Sequence, residues 1–164
     1  MRQRYLIALG SNMRHVRHGP PERVLTAALA ALVRKGVKVL AAAPVIRSAP
    51  LGPSRRRYAN GAALIGTKLD PAELLDLLKA VERRFGRTRG GQRWASRVLD
   101  LDIVLWSGGA WSSPGLTVPH AAFRQRTFVL VPALAIAPDW RDPLTALSLR
   151  QLHARLTRPR PLPR

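Results

Sequence analysis

Two aspartates two residues apart, Asp100 and Asp102, interrupt an otherwise apolar run, Val98-Leu99-Asp100-Leu101-Asp102-Ile103-Val104-Leu105. Alternation along a strand sends Leu99, Leu101, Ile103 and Leu105 to one face and Val98, Asp100, Asp102 and Val104 to the other. The carboxylates then stand about 6–7 Å apart. That separation suits one or two hard cations shared with phosphate oxygens, the usual manner of magnesium. It also suits a solvated strand face on which aspartates discourage edge pairing. Asp is disfavoured in strands, however, and the residues just before the pair favour the metal.

Those residues are Arg87-Thr88-Arg89-Gly90-Gly91-Gln92-Arg93-Trp94-Ala95-Ser96-Arg97, four arginines around a glycine pair. Guanidinium groups bind phosphate oxygens through paired planar hydrogen bonds, and glycines leave such a loop free to close over a ligand. The loop and the carboxylates together could neutralise a polyphosphate. A solvated basic loop or a general RNA contact is the alternative.

A second group of residues suits a flat heterocycle. Tyr58 and Asn60 share a strand face; the ring can stack, and the carboxamide can pair with an edge offering both donor and acceptor. Phe128 could supply the opposite stacking face, although Tyr and Phe at such spacings also serve as core. Thr117-Val118-Pro119-His120 and Arg126 add a turn with a phosphate-binding or anchoring histidine. His15, His18 and His153 show no ligand spacing. Neither a GxxxxGK[ST] loop nor a GxGxxG fingerprint occurs, so a nucleotide would be held here by arginines and metal.

The elements that must position these groups follow from periodicity. Tyr5–Leu9 reads as a strand ended by Gly10-Ser11-Asn12. Residues Pro21 to Arg34 read as a helix with Leu25, Ala28, Leu29 and Leu32 on one face, closed by Gly36. Val37–Arg47 and Tyr58–Thr67 read as strands, separated by the proline-interrupted segment Ser48 to Arg57. Asp70-Pro71-Ala72-Glu73 starts a second helix, which continues through Leu74, Leu78, Val81 and Phe85 to Gly86. Val98–Trp106 is the fourth strand. The segment after it is poorly defined, a helix is expected over about 126–135, and the Arg/Pro-rich end from about 155 reads as a frayed tail. Strand, helix, strand, strand, helix, strand is the split βαβ order of a ferredoxin-like α+β fold, with helices packed on one face of an antiparallel sheet plus C-terminal additions.

Composition narrows the class. A chain of 164 residues, 46% hydrophobic, supports one domain with a real core over residues 1–164. The absence of cysteine excludes disulfide scaffolds and thiolate chemistry. No signal-peptide core or membrane span is visible, so a cytoplasmic location is expected. The 28 Lys+Arg against 9 Asp+Glu give a net charge of +19, which draws polyanions. Arginines are scattered along the whole chain, and host composition is the simplest account of most of them.

Taken in order, Ala8-Leu9-Gly10-Ser11-Asn12, Ala49-Pro50-Leu51-Gly52-Pro53, Tyr58-Ala59-Asn60, Glu82 with Gly86-Arg87, Arg93 through Asp102, and Leu116-Thr117-Val118-Pro119-His120 resemble the 6-hydroxymethyl-7,8-dihydropterin pyrophosphokinase family, also called 2-amino-4-hydroxy-6-hydroxymethyldihydropteridine diphosphokinase. The resemblance covers nearly the whole chain, as far as Ile136-Ala137-Pro138. It implies a ferredoxin-like fold and transfer of pyrophosphate from ATP to a pterin alcohol, a step toward folate. It further implies two magnesium ions on Asp100 and Asp102. The pterin would lie between Tyr58 and Phe128, read by Asn60, with Ser48, Ala49, Pro50, Leu51 and Trp94 beside it. ATP would meet Glu82, Arg89, Arg93, Trp94, Arg97, Ile103, Thr117, His120 and Arg126. Arg87 and Arg97 would stabilise charge as the bond breaks.

The chain departs from the family pattern at Ala49, where proline is frequent, at Ala121, where tyrosine is common, and at Gly115, where an arginine can contact nucleotide. Partners implied are small molecules, with no nucleic acid or membrane and a monomeric state. The rival classes are a basic RNA-binding module of the same fold, which lacks support from the 5% aromatic content, and an inactive relative serving as a scaffold.

Overall fold

The computed structural model of the chain describes residues 2–49, 57–86 and 98–163. Within them the order is β1 (Gln3–Ser11), α1 (Pro21–Arg34), β2 (Lys38–Ala42), β3 (Ile46–Ser48), β4 (Tyr58–Thr67), α2 (Pro71–Arg84), β5 (Asp100–Trp106), β6 (Trp111–Ser113), β7 (Leu116–Val118), a 3-10 turn at Phe123–Gln125, α3 (Thr127–Ile136) and α4 (Leu149–Thr157). The main sheet is antiparallel and ordered β2-β4-β1-β5, with β3 also paired to β4 beyond the end of β2. β4 thus enters between β1 and β2, and β1 between β4 and β5. This is the split βαβ arrangement of a ferredoxin-like fold.

Local chemistry sets the helix ends. Asp70 Oδ1 accepts the Glu73 N–H at 2.9 Å, and Glu73 Oε2 accepts the Asp70 N–H at 2.8 Å, a reciprocal cap at the start of α2. A cap of this kind is worth about 1 kcal/mol. Gly36 and Gly86 follow α1 and α2 with φ of 85° and 102°, a backbone region that a side chain would resist.

The sheet is buried on both faces. On one, Ile7, Leu9, Leu101 and Ile103 meet Val24 and Leu32 of α1 and Leu74 and Leu78 of α2. On the other, Leu6, Ala62, Val104 and Leu105 meet Phe123, Leu130, Ala133 and Leu149 from the C-terminal elements. Leu105 therefore does not share a face with Leu99, Leu101 and Ile103 as strict alternation predicts. Ile7 pairs Ile103 while Leu6 pairs Leu105, so Val104 is an extra residue in the ladder. A bulge of this kind re-aims every side chain beyond it.

Other expectations shift as well. The strand expected over 37–47 is two short strands parted at 43–45, where Pro44 cannot donate to a ladder. The poorly defined segment after β5 holds the β6–β7 hairpin. The expected tail begins later than 155, because α4 runs to Thr157 under a cap in which Ser148 Oγ accepts the Gln151 N–H at 3.1 Å.

The β1–α1 connection is closed on itself by paired backbone hydrogen bonds between His15 and Gly19, both 2.8 Å. Its rings pack on the end of α2: His18 stacks on Phe85 with ring centroids 5.1 Å apart, and His15 lies 4.7 Å from His18. Burial, then the neighbouring His15, Arg17 and Arg34, hold His18 below the ordinary histidine range. The fold thus favours the neutral ring. Stability from this group is full above the ordinary value and is lost as pH falls through the depressed one. Both histidine rings thus pack against Phe85 at the end of α2. Among the described residues, no helix is long and apolar enough to cross a membrane.

Candidate active site

On the sheet face turned toward α3, three strands set small and polar residues side by side. Gly10 of β1 lies opposite Asn60 on β4 and Asp100 on β5; two residues earlier, Ala8 lies opposite Ala62 and Asp102. These two small residues of β1 form a floor between the asparagine and the aspartates. A cavity of about 540 Å³ opens above them, with Ala8, Gly10, Tyr58, Asn60, Asp100 and Asp102 in its lining. The paired carboxylates of the sequence pattern do share this face, and the bulge at Val104 lies beyond both.

The end of the cavity that carries Tyr58, Asn60 and Phe128 is built from β3, β4 and α3. Asn60 is 4% exposed, and its Nδ2 donates to Ser48 Oγ at 2.6 Å and to the Tyr58 carbonyl at 3.4 Å. These bonds hold the carboxamide in one orientation between Tyr58 and the cavity. Phe128 lines the same cavity from α3, and the Arg126 guanidinium lies 5.6 Å from its ring centroid, within range of a cation–π contact. Ser48 lines the cavity also, whereas Ala49, expected beside the heterocycle, is absent from its lining.

Glu82 of α2 is 3% exposed, and its Oε1 accepts the Leu101 N–H at 2.8 Å. Leu101 lies between the two aspartates, so Glu82 fixes the backbone that aims both of them. Ile103, Thr117, His120 and Arg126 complete the walls. His120 is tied down at three points. Its N–H donates to the Val104 carbonyl at 3.0 Å, its carbonyl accepts the Phe123 N–H at 3.3 Å, and its Nδ1 accepts the Ala122 N–H at 3.1 Å. The last contact assigns the neutral-ring proton to Nε2 and leaves that nitrogen as the donor.

Of the residues singled out from sequence, Ser48, Tyr58, Asn60, Glu82, Asp100, Asp102, Ile103, Thr117, His120, Arg126 and Phe128 meet around one cavity. Pro50, Leu51, Arg87, Arg89, Arg93, Trp94 and Arg97 lie outside the described residues. The cavity also takes in Gly115, the position where an arginine can contact nucleotide in the family pattern, and Ala8, Gly10, Leu75, Lys79 and Leu116, which sequence reasoning did not assign to the ligands. Leu75 and Lys79 were legible in principle, because they precede Glu82 by seven and three residues and share its helix face.

The carboxylate pair is a hard-oxygen donor set. Among the described residues, no cluster of three or more metal-binding side chains is present. A cation here would take two protein carboxylates and fill its remaining positions with phosphate oxygens and water, which is how magnesium is usually held. Asp100 and Asp102 fit that group.

The floor is testable by size. A Cβ added to Gly10 would meet Asn60 Oδ1 and Tyr58 Cδ1 at 3.8 Å and Asp100 Cβ at 3.9 Å, all ordinary contacts. Gly10→Ala is therefore expected to fold and to keep most activity. Gly10→Leu would project into the space between Tyr58, Asn60 and Asp100, and kcat/KM should fall about 100-fold, the scale of an ångström-sized misplacement of reactants. Calorimetric binding of 6-hydroxymethyl-7,8-dihydropterin, the heterocycle implied by the family resemblance, checks this; unchanged affinity in Gly10→Leu would mean that the ring binds away from Tyr58 and Asn60.

Comparison with known proteins shows the family of the chain. The family model described as 7,8-dihydro-6-hydroxymethylpterin-pyrophosphokinase (HPPK) matches residues 6–138. A Pseudomonas aeruginosa 2-amino-4-hydroxy-6-hydroxymethyldihydropteridine pyrophosphokinase is 42% identical over 145 residues, covering 87% of this chain and 86% of the relative. The Synechocystis protein of the same name is 37% identical over 148 residues, 90% of this chain and 73% of the relative. Among solved structures, Plasmodium falciparum HPPK-DHPS crystallised with pteroate matches with a TM-score of 0.71 at 12% identity, a likeness of fold. It covers 94% of this chain but only 42% of that longer one. With the sequence matches running through the strands and helices that build the cavity, the chain belongs to the 7,8-dihydro-6-hydroxymethylpterin-pyrophosphokinase family.

Proposed function

We propose that this chain transfers the terminal pyrophosphoryl group of ATP to the hydroxymethyl oxygen of 6-hydroxymethyl-7,8-dihydropterin, giving the pterin diphosphate and AMP on the way to folate. The observation that carries this reading is the union, in one cavity, of a ring-binding end (Tyr58, Asn60, Phe128) with a carboxylate pair (Asp100, Asp102). That union suits joining a flat heterocycle to a polyphosphate.

In the reaction the hydroxymethyl oxygen bonds to the β-phosphorus, the bond from that phosphorus to the α,β-bridging oxygen breaks, and the bridging oxygen leaves with AMP. The hydroxyl proton is released to solvent, and Asp100 would orient that hydroxyl. No covalent protein nucleophile is needed, because phosphoryl chemistry depends chiefly on alignment and charge neutralisation. Tyr58 and Phe128 hold the ring flat while Asn60 reads its edge and so sets the direction of the hydroxymethyl arm. Glu82 keeps β5 in register beneath the phosphates through Leu101. Thr117, His120 Nε2 and Arg126 offer donors to the nucleotide. Asp100 and Asp102 would hold two magnesium ions, which supply neutralisation and alignment of the phosphate oxygens when bound. Arg87, Arg89, Arg93, Trp94 and Arg97 are assigned by family resemblance to the ATP side, with Arg87 and Arg97 stabilising charge on the breaking bond. The enzyme is proposed to act as a monomer in the cytoplasm on these two small molecules, without nucleic-acid or membrane partners.

Product analysis after mixing the protein with Mg-ATP and 6-hydroxymethyl-7,8-dihydropterin tests the reading. AMP and pterin diphosphate in equal amounts are expected. ADP with a pterin monophosphate would make it an ordinary kinase, and no turnover by folded protein would leave a binding or scaffold role.

A further inference from the structure

One cation in the cavity wall has no role in the chemistry so far. Lys79 is exposed on α2, lines the cavity, and makes no ion pair among the described residues. Its position is closely constrained. α2 is capped at its start, and near its other end the buried Glu82 is bound to the backbone of β5 at Leu101. Leu75, Lys79 and Glu82 follow one another along the same helix face, all of them in the cavity wall. By helix rise, Leu75 and Lys79 are about 6 Å apart along the axis, and Lys79 and Glu82 about 4.5 Å.

This wall therefore changes character in steps. Next to Leu101 it carries a carboxylate, beside the two aspartates that would hold the metal and phosphates. One turn away it carries an ammonium group. A further turn away it is apolar, with Leu75 facing the same cavity as Leu116 of β7 and Ile103 of β5. A nucleotide laid along it with its base on the apolar end and its terminal phosphates at the aspartates puts the phosphate next to the ribose beside Lys79. The other described cation in the wall, Arg126, lies 5.6 Å from the Phe128 ring centroid. An ammonium offers three donors and no acceptor, so an anionic oxygen suits it better than the donor-and-acceptor edge of a base.

We propose that Lys79 binds the α-phosphate of the nucleotide, and so contributes to ATP affinity and to retention of the AMP product. The assignment rests on the pyrophosphoryl-transfer reading of the site. Lys79→Met is expected to raise KM for ATP about tenfold, the scale of one charge-assisted hydrogen bond near a surface, with a smaller change in kcat and none in KM for the pterin. Lys79→Arg should restore most of the loss. The distinguishing measurement is inhibition by AMP and by adenosine. In Lys79→Met, the AMP inhibition constant should rise about tenfold while that of adenosine stays fixed. Equal weakening of both would place Lys79 on the nucleoside and overturn the assignment, as would no weakening of either. A wild-type protein that forms no AMP from ATP and the pterin would instead remove the reaction itself, so the two failures are told apart.

Discussion

Asp100→Asn and Asp102→Asn should each lower kcat by about a thousandfold while leaving the fold intact. Asparagine keeps the shape of aspartate but removes the charge that would hold a hard cation, and a preorganised electrostatic contribution of this kind is worth two to three orders of magnitude. The fold should not suffer, because both residues pair with β1 through the backbone, opposite Gly10 and Ala8, and their side chains face the cavity rather than the cores. The two variants should also need more magnesium for half-maximal rate. A magnesium titration of turnover, run beside a thermal melt, checks all three points. Near-wild-type turnover in either variant at ordinary magnesium would remove that residue from the metal. A melt that collapses would instead mean the carboxylate holds the strand.

The pair can act this way because its backbone is fixed from two sides. β1 pairs it from within the sheet, and Glu82 reaches across from α2 to the Leu101 N–H that lies between them. A buried carboxylate bonded to a backbone donor is a costly group to place in a core, and its use here links the position of α2 to the aim of the aspartates. Lys79 inherits its position from the same link. The site is thus a property of the α2–β5 contact as much as of the residues that would touch ligand.

How much of this could be read from residues alone depended on the range of the interactions involved. The faces of Asp100 and Asp102 follow from alternation along one strand, and the ends of α2 follow from Asp70, Glu73 and Gly86, all local signals. Leu105 was assigned to the wrong face because the bulge at Val104 is a property of pairing with β1, which no pattern within β5 records. The helix α4 went unseen although Ser148 and Gln151 form its cap and Leu149, Leu152 and Leu156 recur at helical spacing, because nine residues make only about two and a half turns and run straight into the Arg/Pro-rich end. The three-residue strands β6 and β7 are too short to show a period. Of the cavity lining, the residues with distinctive chemistry stand out in the sequence and the inert ones do not. Gly10 and Ala8 leave the floor open by having little or no side chain, and Lys79 comes to the cavity wall only because α2 lies over β5.

The C-terminal cover has its own critical residue, and removing it should unfold more than it disables. Asp142 is 0% exposed. It accepts from Arg124 Nε at 2.6 Å and Nη2 at 2.8 Å, from Thr145 Oγ1 at 2.7 Å and from the Leu144 N–H at 3.1 Å. Arg124 belongs to the turn between His120 and α3, so this pair ties the cavity wall to the loop that leads into α4. Asp142→Ala would leave a partly buried guanidinium without its partner, which costs about 3–5 kcal/mol, or roughly 10 °C in melting temperature for a chain of this size. Burial pushes the Asp142 carboxyl up, but the hydrogen bonds from Arg124, Thr145 and Leu144 outweigh it and hold the group below its ordinary value of 3.8. A depressed carboxylate contributes stability that is full above its unfolded value and is lost as pH falls through the folded one. The melting gap between wild type and Asp142→Ala should therefore be constant from about pH 7 to 5 and narrow below about pH 4 as the wild-type carboxylate protonates. A gap that persists undiminished into acid would mean that lost packing, and not the charge on Asp142, holds the C-terminal elements against the sheet.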